Sequence, residues 1–437
     1  MLAPLAEESD GVGPSSSASS PINYHEILAA TKDLLLSLTP NNPIYAAFHD
    51  DQVHDPLGAG AYAFRHDLVE PILLELVSDE LLSRDPDLTG KPPINVPTRP
   101  IIIHAGAQPN NSPHCGTLVV FCYAFAFARA VRDRLQAQTA GTHLDPPPVS
   151  VEITFVDTAP VDGEGLEING IQYQKSYRDV PGALETYMGD YQEVLSLLST
   201  WSSIPFTTTF QSHFFSHPSM PSILRYVTTH HLTLGRQLSP KHGKLALRAA
   251  CPVAGCSLAE KHGRLNTYHP SSSTDTERIT LHCPRHGPHT IRLTNPREVA
   301  RLEANAPTRN LLRSMSQLLD TRAHHVRVTG ADYAGTYQEA LLLRPLAAGA
   351  KLSKSLYVRE GGYDMMKVFG TDGLCSYRVL KERVGGGAEG LRRVWKEMGR
   401  WMEDPKRLSR AWSVEYLAGV VMGEKVEDGA GNVDGVH

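Results

Sequence analysis

Residues 99–120 constrain the fold more than any other stretch of this chain, because they join a strand pattern to a helix pattern through a turn. Ile101–Ile103 is a short apolar run, which is typical of a buried parallel strand. Residues 106–113 are rich in glycine, proline and asparagine, and the apolar residues of Leu118–Val131 predict a buried helix that ends at Arg132. Strand, turn and helix in this order predict the first half of a βαβ unit, in which amides at the helix N-terminus meet phosphates.

The following residues alternate strand and helix patterns, which predicts an α/β fold with a parallel sheet. Val149–Val156 is rich in β-branched residues and is followed by Asp157, and His325–Val328 is followed by Asp332. Acids at the carboxyl ends of parallel strands point into the ligand crevice, so both are candidate binding residues. For Asp157, a helix N-cap is the alternative. Other predicted elements are a strand at Ile204–Phe210 and helices at Tyr24–Leu38, Asp67–Leu82, Glu185–Trp201, Pro296–Ala304, Thr308–Leu319 and Tyr337–Leu343.

Composition excludes several classes of protein. The 437 residues are 41% hydrophobic and 20% charged, as in globular proteins of two or three domains. No apolar run reaches the ~18 residues of a membrane span, and no basic segment followed by an apolar stretch marks secretion. We therefore expect a cytoplasmic protein without a membrane partner. The net charge of −5 argues against a protein that coats nucleic acid, and we expect no DNA partner.

Residues 251–294 interrupt the α/β pattern with potential metal ligands. A Cys-x4-Cys pair is followed later in the segment by Cys-x2-His. Three thiolates and one imidazole match a structural zinc ribbon, which stabilises an insert too small to have its own core. Unrelated buried cysteines and histidines are the alternative interpretation, and His282 and His289 are alternative ligands. The predicted zinc ligands are Cys251, Cys256, Cys283 and His286.

A loop of small residues at 347–355 contains two lysines, Lys351 and Lys354, spaced to reach one polyphosphate. A lysine loop that closes on phosphates stabilises charge developing during transfer. A solvated basic loop is the alternative interpretation.

Basic residues outnumber acidic ones from Arg378 to Arg410, with Trp395, Trp401 and Trp412 among them. This predicts a helix face that binds a nucleic-acid backbone, with a solvated helix face as the alternative.

We predict seven segments: a disordered tail (1–20), an N-terminal helical cap (21–95), the first half of a Rossmann-like catalytic core (96–250), a zinc-ribbon-like insert (251–294), the second half of the core with the lysine loop (295–375), a helical basic C-terminal part (376–425) and a disordered tail (426–437).

His114-Cys-Gly-Thr117 and Lys351-Leu-Ser-Lys354-Ser355 resemble the HIGH and KMSKS motifs of class I aminoacyl-tRNA synthetases, in the right order. The first occupies a strand-to-helix turn, and the second is expected in a loop after the last sheet strand. Pro-His-x-Gly-Thr, the Cys/His insert and a Gly-x-Asp segment are most similar to lysyl-type enzymes. The resemblance covers Pro100 to Asp372. It implies a Rossmann-like parallel sheet of class I aminoacyl-tRNA synthetase type, with a Cys/His insert and a helical C-terminal part.

The resemblance also implies residue roles. His114 with the backbone of Gly106 and Gly116 would hold adenine nucleotide, Asp157 the amino acid, Asp332 the ribose or amino acid, and Lys351 and Lys354 the phosphates. Two departures weaken ordinary tRNA charging: Thr117 replaces the second histidine of HIGH, and the 82 residues after Ser355 are short for an anticodon-binding domain. The other expected substrate-binding residues are Gln108, Thr117, Tyr333, Tyr337 and Ser355.

Free-standing cores of this class include tRNA-dependent cyclodipeptide synthases, which join the amino acids of two charged tRNAs into a diketopiperazine. The bacterial family has Gly-x-Ser-x-x-x-Ser after its first strand, with the first serine as nucleophile. Gly106 to Ser112 overlays this pattern, but Gln108 replaces the nucleophile and Ser112 is the nearby hydroxyl. The size and build are similar to those of a fungal family that makes arginine-containing cyclodipeptides. An arginine guanidinium would suit acids such as Asp157, Asp162 and Glu164.

We therefore expect a cyclodipeptide synthase that uses the acceptor ends of aminoacyl-tRNAs, one of them arginyl, with amino acids as the small-molecule partners and structural zinc as the cofactor. The expected catalytic residues are Ser112, His114, Lys351 and Lys354. One alternative is a lysyl-type synthetase or related amino-acid ligase, which would require ATP and magnesium. A second alternative is an inactive tRNA-binding paralogue of a synthetase.

Overall fold

The computed structural model describes residues 47–49, 52–55, 69–82, 96–239, 241–270, 277–329, 355–359, 376–383 and 388–403. The chain divides into two compact units, Met1–Tyr45 and Ala46–His437, and all described residues belong to the second. The predicted tails at 1–20 and 426–437 and the predicted helices Tyr24–Leu38 and Tyr337–Leu343 lie outside the described residues.

Strands and helices alternate through much of the described chain. The strands are β1 (Ala47–His49), β2 (Gln52–Asp55), β3 (Ile101–Ala107), β4 (Val149–Phe155), β5 (Leu166–Ile168), β6 (Ile171–Gln174), β7 (Phe206–Phe210), β8 (Leu247–Ala249), β9 (Ala259–Glu260), β10 (Thr267–His269), β11 (Arg278–Cys283), β12 (Gly287–Arg292), β13 (Leu302–Ala304), β14 (His324–Thr329) and β15 (Ser355–Arg359). The α-helices are α1 (Val69–Leu82), α2 (Cys115–Thr139), α3 (Glu185–Ser202), α4 (Gln211–Phe214), α5 (Met220–Thr229), α6 (His231–Leu238), α7 (Pro296–Val299), α8 (Ala306–Leu319), α9 (Tyr377–Arg383) and α10 (Glu389–Glu403).

Five strands form the central sheet in the order β15-β14-β3-β4-β7, and every neighbouring pair is parallel. Numbered along the chain, this is the strand order 3-2-1-4-5 of Rossmann-like doubly wound sheets. The predicted α/β fold with a parallel sheet is therefore confirmed. The order reverses between β3 and β14, and ligands of such sheets bind outside the carboxyl ends of the strands at this position.

Helix α2 is longer than predicted, because the charged residues after Val131 do not end it. The guanidinium of Arg132 donates to the carbonyl oxygens of Ser202 and Ser203, at 3.1 and 2.8 Å. Leu135 in the next turn is fully buried. The charges thus occupy the solvent side of a helix whose apolar side continues, and the prediction that Arg132 ends the helix is wrong.

The predicted helix Pro296–Ala304 is also wrong in its second half. Only α7 is helical, and residues 302–304 form β13, which pairs antiparallel with β8. Leu302 and Ala304 are buried, and the intervening Glu303 lies opposite Arg248 in the neighbouring strand. Periodicity over so short an apolar run does not distinguish a strand from a helix.

The two faces of the central sheet differ in polarity. On one face, alternate residues of β3 and β4, such as Ile103 and Ile153, belong to an apolar core shared with α2, α3 and α10. A second core joins α5, α6 and α8 to strands β10–β12. The other face of the sheet presents polar residues, including His104 of β3 and Glu152 of β4. Among the described helices, none combines the length and apolar character that crossing a membrane requires.

The buried carboxylate of Glu80 fixes α1 to the amino end of the sheet. It accepts hydrogen bonds from the backbone N–H groups of Thr98 and Arg99, at 2.8 and 3.0 Å, and from the Thr98 hydroxyl, at 2.7 Å. His324 of β14 lies 2.7 Å from it. Burial alone would raise the pKa of Glu80, but these hydrogen bonds lower it from 4.5 to about 2.

Because this folded-state pKa is depressed, Glu80 stabilises the fold fully above pH 4.5, and the contribution is lost as the pH falls toward 2. We expect Glu80→Gln to reduce the free energy of unfolding at pH 7 by up to about 3 kcal/mol. The deficit should shrink as the pH is lowered, which urea titrations at several pH values would measure. Glu70→Gln removes a half-exposed carboxylate from the same helix and should change stability by less than ~0.5 kcal/mol. An equal deficit for Glu80→Gln at pH 7 and pH 3 would contradict this account.

Candidate substrate site and metal centre

The turn between β3 and α2 contains the first predicted motif. His114 is the N-cap of α2, and its Nδ1 accepts from the Thr117 N–H at 3.4 Å while its Nε2 lies 3.0 Å from the Thr117 hydroxyl. The first and last residues of the His114-Cys-Gly-Thr117 motif thus contact each other. Burial lowers the pKa of His114, so the ring is neutral at pH 7. Because Nδ1 accepts from the Thr117 N–H, Nε2 carries the ring proton in the neutral form, so a ring nitrogen can accept a proton from substrate only when one Thr117 contact opens.

Residues 376–378 close over this turn, a contact that the sequence did not indicate. The Tyr377 N–H donates to the Pro113 carbonyl at 2.7 Å, and the Arg378 N–H donates to the Ser112 hydroxyl oxygen at 3.2 Å. Ser112 is 2% exposed. Within the described part of the chain, no imidazole or carboxylate is hydrogen-bonded to this hydroxyl. Ser112 therefore helps to fix the turn, and the described residues supply no base that would activate it as a nucleophile.

The other candidate residues at the carboxyl edge of the sheet are either at least partly exposed (Gly106, Gln108 and Gly116) or buried (Asp157). Gly106 lies in β3 and Gly116 in the first turn of α2, both partly exposed, whereas Gln108 is exposed and its carbonyl accepts from the Tyr191 hydroxyl at 3.0 Å. Asp157 is buried, and its Oδ1 accepts from the Ser212 N–H of α4 at 2.9 Å. The carboxylate of Asp157 thus caps the short helix α4, which agrees with the alternative interpretation of Asp157 as a helix cap. The capped helix is not the next helix in the sequence.

The second motif enters the sheet at an unexpected edge. Ser355 is the first residue of β15 and pairs with His325, near the amino end of β14. The expectation that this motif follows the last sheet strand is therefore wrong, because the motif precedes β15. In a parallel sheet the amino ends of the strands lie opposite the edge from which the His114 turn emerges. Lys351, Lys354, Asp332, Tyr333 and Tyr337 lie outside the described residues.

A row of four titratable groups crosses the polar face of the sheet. Nε2 of His104 lies 2.8 Å from Nδ1 of His325, the Nδ1 of His104 lies 3.3 Å from Glu152, and the Nε2 of His325 lies 3.3 Å from Asp320. If both carboxylates are ionised, these three contacts each need one N–H. A neutral histidine pair has only two, so the row is one proton short. One of the three contacts is therefore left without an N–H while both histidines are neutral.

Charges and burial around the row keep the histidines neutral. Burial lowers the pKa of His104 against the opposing effect of Glu152, and the charges of Arg327 and Arg313 lower it further. Burial likewise lowers the pKa of His325 to about 4. Sequence reasoning missed these residues, although each alternates with apolar neighbours in a strand, which is the pattern of a sheet with one polar face.

The predicted metal ligands come together. Their four donor atoms lie within 4.8 Å of one another: Cys251 Sγ is 3.3 Å and Cys283 Sγ is 3.7 Å from His286 Nδ1, and Cys256 Sγ is 3.6 Å from Cys283 Sγ. Tetrahedral zinc with Zn–S of about 2.3 Å and Zn–N of about 2.0 Å requires ligand separations of roughly 3.5–3.8 Å. Donor set and spacing therefore fit zinc. His282 lies instead beside the Tyr173 hydroxyl at 3.4 Å, so it is not one of the four.

Local backbone geometry explains how the cysteines meet. Gly255, with φ +78°, allows the tight turn before Cys256, and Gly287, with φ +74°, begins β12 directly after His286. Burial alone would raise the pKa of Cys283, but the N–H groups of Arg285 and His286 lower it. The cluster packs against Tyr173 of β6, and β6 pairs with β9. The β5–β6 hairpin, which the sequence did not predict, thus supports the metal centre.

A buried ion-pair network joins the metal region to the central sheet. The Glu303 carboxylate, with no exposed surface, lies 2.9 Å from both Arg248 and Arg178 and accepts from the Ser176 hydroxyl at 2.7 Å. Arg248 also donates to the carbonyl oxygen of Thr158, which follows β4. The carboxyl edge of the central sheet and the strands that precede the cysteines therefore share one polar core.

Several residues of the predicted basic C-terminal face contact the rest of the protein. Arg129 of α2 lies over the Trp395 ring at 5.2 Å, and Arg392 lies over Trp201 at 4.7 Å. Arg378 is paired with Asp190 at 2.9 Å. At these residues the segment packs against α2 and α3 and is not the solvated helix face of the alternative interpretation.

Comparisons with known proteins add no evidence for the fold class, which is assigned from the strand order of the central sheet. No protein-family model and no curated protein matches this chain. Among solved structures, a protein of Campylobacter jejuni assigned as an arginyl-tRNA synthetase shares 9% identity, with 80% of this chain and 94% of that chain covered, at a TM-score of 0.24. A TM-score this low does not establish a shared fold.

Proposed function

We propose that this protein is a tRNA-dependent cyclodipeptide synthase that joins two aminoacyl groups, one of them arginyl, into a diketopiperazine. The observation that supports it most is that Ser355, which ends the second motif and begins β15, lies at the amino edge of the sheet, whereas His114 lies at the carboxyl edge. Motifs that hold one ATP molecule between them need a common edge. An enzyme that receives amino acids already activated as esters needs only the carboxyl-edge site.

The reaction consists of two aminolysis steps. The amine of one aminoacyl group attacks the ester carbonyl of the other, so that an amide C–N bond forms, the ester C–O bond breaks, and the ribose hydroxyl of one tRNA leaves. The second amine then attacks the remaining ester carbonyl, so that the second amide bond closes the ring, the ester C–O bond breaks and the second tRNA leaves. Each step moves a proton from the attacking amine to the departing ribose oxygen, and His114, neutral at pH 7, is the candidate for this transfer once its ring releases one of its Thr117 contacts. Because Ser112 is buried and no base among the described residues contacts its hydroxyl, direct transfer without a seryl ester is the simpler route.

The runner-up is an ATP-dependent amino-acid ligase, favoured by the Lys-Leu-Ser-Lys-Ser sequence itself. One experiment distinguishes the two functions. The purified protein is incubated with amino acids, ATP and tRNA, with and without added synthetases, and pyrophosphate exchange and small-molecule products are followed. A diketopiperazine that forms only with charged tRNA supports the proposal. Pyrophosphate exchange by the protein alone would establish the ligase instead, and silence in both assays would favour a tRNA-binding paralogue.

His114→Asn tests the site, because asparagine keeps the N-cap acceptor but not the base. We expect product formation to fall by roughly a hundredfold, as for loss of a general base, with little change in melting temperature. His143→Ala replaces an exposed histidine and is the control. Full activity of His114→Asn would remove His114 from the proposed mechanism.

A further inference from the structure

The polar face of the central sheet contains a buried guanidinium with unsatisfied donors. Arg327 of β14 is 8% exposed, and its Nε and Nη1 have no hydrogen-bond partner among the described residues. Its Nη2 lies over Gly106, 2.9 Å from where a Cβ would stand. Glycine at this position leaves the space that the guanidinium fills. An unpaired buried charge of this kind destabilises a fold, which calls for a compensating ligand.

A second buried arginine lies on the same face. Arg313 of α8 is 9% exposed and donates to the Gln211 Oε1 at 2.7 Å, while the Nε2 of this fully buried glutamine has no partner. Both arginine charges act on His104. The two carboxylates of the row, Glu152 and Asp320, are each in contact with a histidine, and Asp320 is also paired with Arg322. Among the described residues, neither carboxylate is hydrogen-bonded to Nε or Nη1 of Arg327, so these donors remain available on this face.

We propose that Arg327 binds a phosphate-class anion on the polar face of the sheet, where β3 and β14 meet, and that the charge of Arg313, which also acts on His104, adds to the attraction. Guanidinium groups bind phosphate through paired, charge-assisted hydrogen bonds. Glu152 is 28% exposed, so solvent reaches this face from the β4 side. The face adjoins the point where the strand order reverses, at which such sheets bind ligands. If the proposed function holds, the anion is a phosphodiester of the tRNA acceptor end, and this identification rests on that function.

The test measures thermal stability and affinity with three probes: inorganic phosphate, ATP, and an RNA oligonucleotide ending in CCA. We expect at least one probe to raise the melting temperature of the full-length protein in a concentration-dependent way. In Arg327→Met, affinity for that probe should fall by roughly tenfold or more. Without any anion, the melting temperature of Arg327→Met should equal or exceed that of the parent, because an unpartnered charge has been removed.

Arg322→Met is the matched control, since it removes an exposed arginine from the loop before β14. It should leave anion binding unchanged. If Arg327→Met does not fold, Arg327→Lys keeps the charge but not the planar fork, and severalfold weaker binding is then expected. No stabilisation of the parent by any probe, or equal stabilisation of the parent and Arg327→Met, would overturn the site.

The probes also identify the source of the phosphate. Binding of the oligonucleotide much more tightly than phosphate or ATP indicates RNA, whereas comparable binding of all three indicates a general phosphate or nucleotide site. Failure of this site and failure of the proposed function are distinguishable. Diketopiperazine formation at the parental rate by Arg327→Met, without anion binding, would remove the site and leave the function. Anion binding without any diketopiperazine would do the opposite.

Discussion

Replacing Cys283 with serine is expected to abolish zinc binding and to disorder the turns that carry the ligands while the central sheet remains folded. Cys283 contacts Cys256 and His286 and receives backbone N–H groups, so its thiolate ties the β11–β12 turn to the turn of Cys256, whereas the strands themselves are also held by the second core. Structural zinc contributes about 10–16 kcal/mol of apparent binding free energy in small domains, so losing one ligand should be severe. Metal analysis of the purified protein should fall from about one equivalent of zinc to almost none.

Cys122→Ser is the matched control, because Cys122 is a buried cysteine of α2 outside the cluster. It should retain full metal content. Limited proteolysis would locate the damage in Cys283→Ser, with cleavage expected within residues 251–294 and protection of the sheet. Parental metal content in Cys283→Ser would mean that the four residues are not the ligand set.

Replacing Glu303 with glutamine should reduce the free energy of unfolding more than Glu80→Gln, Glu70→Gln or Glu164→Ala. It leaves Arg248, 5% exposed, and Arg178 without their buried counter-charge. Breaking a buried ion pair on one side typically costs about 3–5 kcal/mol. Chemical denaturation at pH 7 measures this loss. Glu164→Ala removes the acid of the half-exposed Glu164–Lys175 pair and should cost only about 0–1 kcal/mol.

The Glu303 network has a second observable in Asp179. Burial and the negative charge of Glu303 together raise the pKa of Asp179 to about 6. Removing that charge should lower the pKa of Asp179, which NMR titration of its carboxyl group can follow. A double variant, Glu303→Leu with Arg248→Met, should recover part of the stability because both buried charges are gone. An unchanged pKa of Asp179 would show that the two carboxyls do not interact.

Local patterns predicted most of the central sheet but not its surroundings. The strands at Ile101, Val149, Ile204 and His325 were predicted because β-branched runs bounded by turn residues are specific over short windows. The strand at 302–304 was missed because its partner, β8, lies far away in sequence. The β5–β6 hairpin was missed although its strands pair locally across Asn169-Gly170, a typical hairpin turn. The helix after Leu118 was predicted too short, since three charges on the solvent side of a helix resemble an end.

The residues of the candidate sites likewise divide into those that local sequence patterns predicted and those that depend on long-range contacts. The cysteines and His286 were found from spacing alone, because a metal imposes its geometry on local sequence. The histidine row and Arg327 depend on which residues face one another across β3, β4 and β14, and that register becomes visible only once the sheet order is known. The contact of residues 376–378 with Ser112 is similarly long-range. The roles of Lys351 and Lys354 stay predictions.

The strand order also has a consequence for how the protein folds. Central strand β3 is bordered by β4, which follows it closely, and by β14, whose His324 pairs with Ile101. During synthesis, β3, β4 and β7 can assemble with α2 and α3 while the rest of the chain is still being made. One side of β3 then exposes unpaired backbone groups until β14 emerges, and pairing at such sequence separation is slow. This interval is when a nascent chain of this protein is most exposed to aggregation and most dependent on chaperones.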